Sequence, residues 1–372
     1  TPFSNNATIC SFPDFCQDNG LLFGLPVAEL DEHFAAVFSV GDLTEIPTGI
    51  GFCMYLRRDC LDDVGYFDVE TFGKGYGEEN DWCQRAEKKG WPNYLQANVF
   101  VYHKGGVSFD LEQEPRKAKA MELLALKHPD YDAKIQTFIA EDPTREFRIK
   151  ALWSLFANLT LPKALMITHR LGGGVQQHVN ELSYFYAGKA LFLQLRPLED
   201  GESVSLSICG SEGSLLDSLS YQIESEYEQL VELLSSLGVG RVHFHHTMGL
   251  HTRLWGLPCD LDCQYDITVH DYYFINGNPT LTNGKARFVG DDYGYAFDQA
   301  CAEAYPIPVS AKQWRCNVGE LIEKADRLIF PSSDACQRFS QFFSTNEAIV
   351  AWHPDHILAK PYPERSEERR VG

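Results

Sequence analysis

Positive charge is what this chain has least of: 32 lysines and arginines stand against 52 aspartates and glutamates, for a net charge of −20. Such a balance repels phosphate backbones and anionic headgroups, which argues against nucleic acid and against simple adhesion to a charged bilayer. No apolar run is long enough to span a membrane, because the best stretch, 151–168, is broken by Asn158, Pro162 and Lys163. No C-x-x-C pair occurs among the eleven cysteines, whose nearest spacing joins Cys259 and Cys263. A disulfide framework or zinc site is therefore not expected, and the cysteines read as reduced thiols of a cytoplasmic protein. A signal-peptide pattern is also missing. The D-x-D at Asp260-Leu261-Asp262 follows Pro258 rather than a buried strand and reads as incidental.

What is present is acid concentrated in one place. In Gly75-Tyr76-Gly77-Glu78-Glu79-Asn80-Asp81-Trp82-Cys83-Gln84-Arg85-Ala86, a helix-compatible run from Glu78 to Lys89 follows glycines at 73, 75 and 77 and is closed by Gly90. Carboxylates in a first turn are favoured by the helix dipole and its unpaired amides. Three acids in four positions also repel one another, which raises one of them toward a value useful for a general base. A capped amphipathic helix with Trp82, Ala86 and Trp91 turned to the core accounts for the same spacing and stays open. Around it the pattern predicts a helix over 27–39, a buried strand over 51–56 and a strand over 94–103 that ends in His103. Gly49 and Gly51 would let a substrate approach the backbone. Residues 1–6 and 13–24 read as loop, and helices are expected over 112–127 and 130–156 with a break at Pro143.

At Lys163 the pattern restarts. Residues 164–182 read as a short apolar strand, a turn through Gly172, Gly173 and Gly174, and a helix, the opening of a doubly wound α/β domain. Buried strands then come just before polar residues at 241–246, 265–273 and 325–333. Histidines 243, 245 and 246 invite a metal reading, but neighbours on a strand face opposite ways and no carboxylate or cysteine follows at ligand spacing.

Two ordered sets of motifs carry a resemblance. Pro47 to Arg58, Val64-Gly65-Tyr66-Phe67-Asp68, the acidic run and Val101-Tyr102-His103 together resemble the acceptor-side half of a family 2, GT-A type glycosyltransferase. The series Thr168-His169-Arg170-Leu171-Gly172-Gly173-Gly174, Val242-His243-Phe244-His245-His246, Asp266 to Tyr273 and Ala325 to Ser332 resembles the N-terminal half of a family 4, GT-B type glycosyltransferase. The resemblance implies an α/β protein with a partial GT-A domain (nucleotide-diphospho-sugar transferase fold) over 1–120, a helical linker over 121–162, the N-terminal Rossmann-like domain of a GT-B fold over 163–360 and a non-native tail over 361–372. It implies a bifunctional parent that builds a bacterial surface polysaccharide or related glycan. The partners would be a nucleotide-sugar donor and a glycan or lipid-linked saccharide acceptor, met in the cytoplasm or at the inner face of the plasma membrane.

Residue by residue, the GT-A resemblance makes Glu79 the base of an inverting transfer, a longer Glu where the family usually has Asp. Glu78 and Asp81 would orient the acceptor and backbone, Arg85 would pair with the acids, and Gly49 and Gly51 would border the acceptor. His103 would complete a divalent-metal site (Mn or Mg) whose D-x-D carboxylates this sequence does not contain. In the GT-B module, for which no cofactor is implied, His270 and Asp271 would stand beside the transferred sugar and Gly172, Gly173 and Gly174 near the donor phosphates. His270 bonded simply to Asp271 in a loop is the plain alternative. A fragment cut at both ends and without activity of its own is expected, and a non-catalytic glycan-binding or scaffold protein remains the competing reading.

Overall fold

The computed structural model describes residues 1–73, 76–104, 113–210, 215–344 and 347–353. Gly75, Gly105, Gly106, Glu112 and the tail 361–372 lie outside the described residues. The chain forms two compact units, Thr1–Thr160 and Leu161–Gly372.

In the first unit, strands β1 (Pro2–Ser4), β2 (Leu43–Ile46) and β3 (Asn93–Val101) form a sheet in the order β1-β3-β2, with β1 parallel and β2 antiparallel to β3. Residues 1–6, expected as loop, thus supply a strand. The reason is Phe3, which is fully buried against Phe12 and Phe34. The helix Val27–Val37 lies on β3 and sends Leu30 and Phe34 into this aromatic core, where Phe34 stacks on Phe100 at 5.5 Å. The strand expected over 51–56 is instead a turn and open chain: Cys53 N–H donates to Ile50 O at 3.1 Å, and Tyr55 is exposed. Gly51 weakens a strand in this stretch, and the pairing partner of β3 comes from Leu43–Ile46.

The helices Gln113–Lys127, Tyr131–Glu141 and Arg145–Asn158 match the predicted periodicity, break at Pro143 included. They do not form a linker over 121–162. Leu124, Phe138, Leu152 and Phe156 are buried within the first unit, and Ala151 O lies 2.9 Å from His33 Nε2. An amphipathic helix must bury its apolar stripe somewhere, and here the stripe closes the core of that unit.

The second unit is built on eight strands: β4 (Lys163–Ile167), β5 (Leu191–Pro197), β6 (Ser203–Cys209), β7 (Leu215–Gln222), β8 (Val239–Phe244), β9 (Gln264–Thr268), β10 (Arg327–Phe330) and β11 (Ala348–Val350). Their order is β11-β10-β9-β8-β4-β5-β6-β7, parallel from β11 to β5 and antiparallel through β6 and β7. The hairpin β6–β7 was not foreseen. Ser203, Ser205 and Ser207 mimic a solvent face, yet every residue of β6 is buried. From β4 the chain moves outward to β5, β6 and β7, then returns to lay β8 on the other side of β4. The strand order therefore reverses between β4 and β8, and the carboxyl ends beside such a reversal are where open α/β sheets bind ligands.

Candidate functional site

The acidic helix runs Glu78–Lys88 and is capped by Gly77 in the left-handed region (φ 89°). Glycine is needed there twice over, since a Cβ would also meet the Phe72 ring at 2.9 Å. Burial, followed by the neighbouring Glu78 charge, raises the Glu79 carboxyl above the ordinary range, against partial relief from the helix amides. The Glu79 side chain lies on Gly51, where a Cβ would come within 3.2 Å of Glu79 Cγ. Gly49 in turn is crowded by Thr1 Oγ1 and Met54 Cε, at 2.9 and 3.0 Å from the position of a Cβ. Both glycines thus make room for side chains of the protein itself.

Asp81 is fully buried and its two oxygens meet three basic groups: Arg85 Nε at 2.8 Å, Lys127 Nζ at 3.1 Å and His128 Nε2 at 2.8 Å. Burial pushes its carboxyl up, but the bonds from His128, Arg85 and Lys127 outweigh burial and leave it below the ordinary range. Lys127 also reaches Asp68 at 2.7 Å. The pairing of Arg85 with an acid is present, and the same guanidinium donates to Val64 O and Tyr66 O, each at 2.9 Å. Two motifs apart in sequence are therefore one structural unit, with Arg85 gripping the backbone of the Val64–Asp68 turn. With their polar atoms so engaged, Asp81 and Arg85 position the helix that presents Glu79.

His103 ends this face. Its N–H donates to Asn5 Oδ1 at 2.7 Å, its ring stacks on Phe52 at 4.3 Å, and Nδ1 is buried without a hydrogen-bond partner. Among the described residues no group of three or more potential ligands includes it, so the donor set here does not fit a firmly held Mn or Mg ion. Gly49 borders a cavity of about 460 Å³ lined also by Met54, Leu56, Trp82, Trp91, Tyr94 and Gln96, among others. The Trp82 and Trp91 indole N–H groups donate to Gly65 O and Asp63 Oδ2, at 2.7 and 2.8 Å, which fixes both rings.

In the second unit the carboxyl edge gathers histidines. Gly172 and Gly173 turn the chain from β4 with φ of 73° and 67°, and a Cβ at 172, 173 or 174 would meet nothing within 4 Å, so the first two glycines serve the backbone angle and the turn stays open. The helix Gly173–Phe185 then carries buried His178 over the strand ends. His245 Nδ1, just past β8, lies 3.1 Å from His270 Nε2, just past β9. Asp271, the partner expected in the plain alternative for His270, is instead 3.3 Å from His246 Nε2. His353, beyond β11, stacks on His270 at 4.8 Å and approaches His178 at 4.0 Å between ring centroids. Burial, reinforced by the neighbouring imidazoles, pushes His178 down to about 3 and His270 to about 2, with His245 also well below its ordinary value.

Of the residues singled out in sequence, Glu79 and Gly51 are in contact, as are Asp81 and Arg85, while His270 has its bond to His245 rather than to Asp271. His178 and His353 were missed, and His245 was considered with its neighbours and set aside. One signal was legible: His243-Phe244-His245 places two histidines on the same face of a strand, and their rings do stack at 4.1 Å. The incidental Asp260 accepts a bond from Tyr227 Oη at 2.5 Å, while Asp262 sits at φ 48°.

No family of known proteins matches the chain, and no solved structure is significantly similar to it. Uncharacterized proteins of Mycobacterium bovis and of two strains of Mycobacterium tuberculosis are each 34% identical over 85 residues, 22% of this chain. The chain spans 33% of the length of these curated relatives.

Proposed function

We propose that this protein takes part in sugar transfer from a nucleotide-sugar donor to a saccharide acceptor. The observation that carries the reading is one half-buried carboxylate with raised proton affinity, Glu79, presented in the first turn of a helix capped by Gly77 and packed on Gly51. A carboxylate in that state takes the proton of an acceptor hydroxyl as the oxygen attacks the anomeric carbon and the bond to the nucleotide diphosphate breaks. The aromatic cavity supports a saccharide ligand, because the half-buried Trp91 on its wall, fixed by its bond to Asp63, offers a flat apolar face to a pyranose. In the second unit the open glycine turn follows β4 at the strand-order reversal, the position at which such sheets take up ligands, and His270 stands on the same carboxyl edge past β9. No step here runs through a metal at His103, since no group of three or more ligands among the described residues includes it.

The test is saccharide binding, since the sequence holds no D-x-D strand to support turnover. Saturation-transfer NMR with a panel of methyl glycosides, oligosaccharides and nucleotide sugars is expected to show contact that Glu79→Ala and Trp91→Ala diminish. Absence of contact with every member of the panel refutes the reading. Detectable transfer by this chain, abolished by Glu79→Ala, would overturn the expectation of inactivity while strengthening the assignment of the base.

A further inference from the structure

We infer that the carboxyl edge of the second unit's sheet is a transition-metal site of the zinc class, ligated by His178, His270 and His353. The inference goes beyond the sugar-transfer reading and does not rest on it, for the resemblance implies no metal in this module. Three histidines from three different elements offer one ligand nitrogen each, all within 4.8 Å of one another. Tetrahedral coordination with zinc–nitrogen bonds near 2.0–2.1 Å needs those nitrogens about 3.4 Å apart. A contraction of that size is within reach of side-chain rotation, because His353 is exposed and its ring already packs against the other two.

Further features of the site fit a cation. His178 is buried, and its Nδ1 has no hydrogen-bond partner. His270 is steadied from behind by His245 through Nε2, which leaves Nδ1 for the ion, and a ligand held by an outer hydrogen bond is the usual arrangement around protein metals. The donors are all imidazoles, which suit zinc, cobalt, nickel and copper and not the oxygen-seeking magnesium or calcium. Exposure on the His353 side leaves a fourth position for water or a substrate oxygen, the pattern of zinc centres that act on a ligand rather than only brace a fold.

The experiment uses the chain without a histidine tag, freed of metal with a chelator and titrated with Zn²⁺ by calorimetry and with Co²⁺ by visible absorption. About one equivalent is expected, with a dissociation constant on the order of 1 μM or tighter, and Mg²⁺ at the same concentration is expected not to compete. His353→Ala, at an exposed position, and His178→Gln are each expected to weaken Zn²⁺ at least about tenfold. His251→Ala, a histidine of the same unit paired with Glu224 at 3.1 Å, is expected to leave it unchanged. Failure to bind Zn²⁺, equal binding of Mg²⁺, or an affinity unmoved by both His353→Ala and His178→Gln overturns the proposal. Circular dichroism of each variant separates a lost ligand from a lost fold, and the His353 variant carries the test if His178→Gln misfolds.

Discussion

Replacing Asp81, a fully buried acid, with Asn keeps the shape of the side chain and removes its charge. Three basic groups would then face a neutral amide. Breaking a fully buried ion pair costs about 3–5 kcal/mol. Here the side chains of Arg85 and Lys127 are 27% and 34% exposed and recover hydration, whereas His128, at 5%, does not. The loss therefore belongs at the lower end, about 3 kcal/mol. Native-state hydrogen exchange read by mass spectrometry on peptides from 78–101 is the assay, because it reports the first unit separately from the second. The expected result is exchange faster by roughly 150-fold, at about 1.4 kcal/mol per decade. The pH dependence has a definite sign. The folded carboxyl is held below its unfolded value, so its contribution is present above about pH 4 and is lost as pH falls through the folded value. The deficit of Asp81→Asn should accordingly shrink below pH 4. A loss under about 1 kcal/mol at pH 7, the range of an exposed pair, would refute the reasoning.

Glu79→Gln is expected to stabilise the first unit at pH 7, since the folded state disfavours the charged carboxylate, with the gain vanishing below about pH 4.3, where both states are protonated; urea denaturation at the two pH values checks it. Gly77→Ala combines a left-handed backbone with a clash against Phe72 and should cost about 1–3 kcal/mol, seen as faster exchange in the helix Glu78–Lys88. Buried His178 stays neutral when folded and charges when unfolded, so acidification from pH 6.5 to 5 should cost the metal-free second unit about 2 kcal/mol from this residue alone. Thermal unfolding of wild type and His178→Gln over that interval should diverge accordingly, and parallel curves would count against the neutral assignment.

Local pattern was enough for much of the architecture. The helices Val27–Val37, Glu78–Lys88 and Arg145–Asn158, and the strands β4, β8, β9 and β10, follow from periodicity and from glycine or proline punctuation, which are properties of neighbouring residues. The acidic N-terminus at Glu78–Asp81 and the glycine turn at 172–174 were legible for the same reason. Only the tertiary structure decided that β1 begins the first sheet, because the burial of Phe3 depends on Phe12 and Phe34 arriving from elsewhere. It also decided that Gly51 is small to admit Glu79, and that Asp81 meets Lys127 and His128 across some forty-five positions of chain. The histidine cluster is the plainest case. His178, His245, His270 and His353 stand far apart in sequence, and they meet because the order β11-β10-β9-β8-β4 points parallel strand ends and one helix at the same edge. That order is set by long-range packing, which no local spacing encodes.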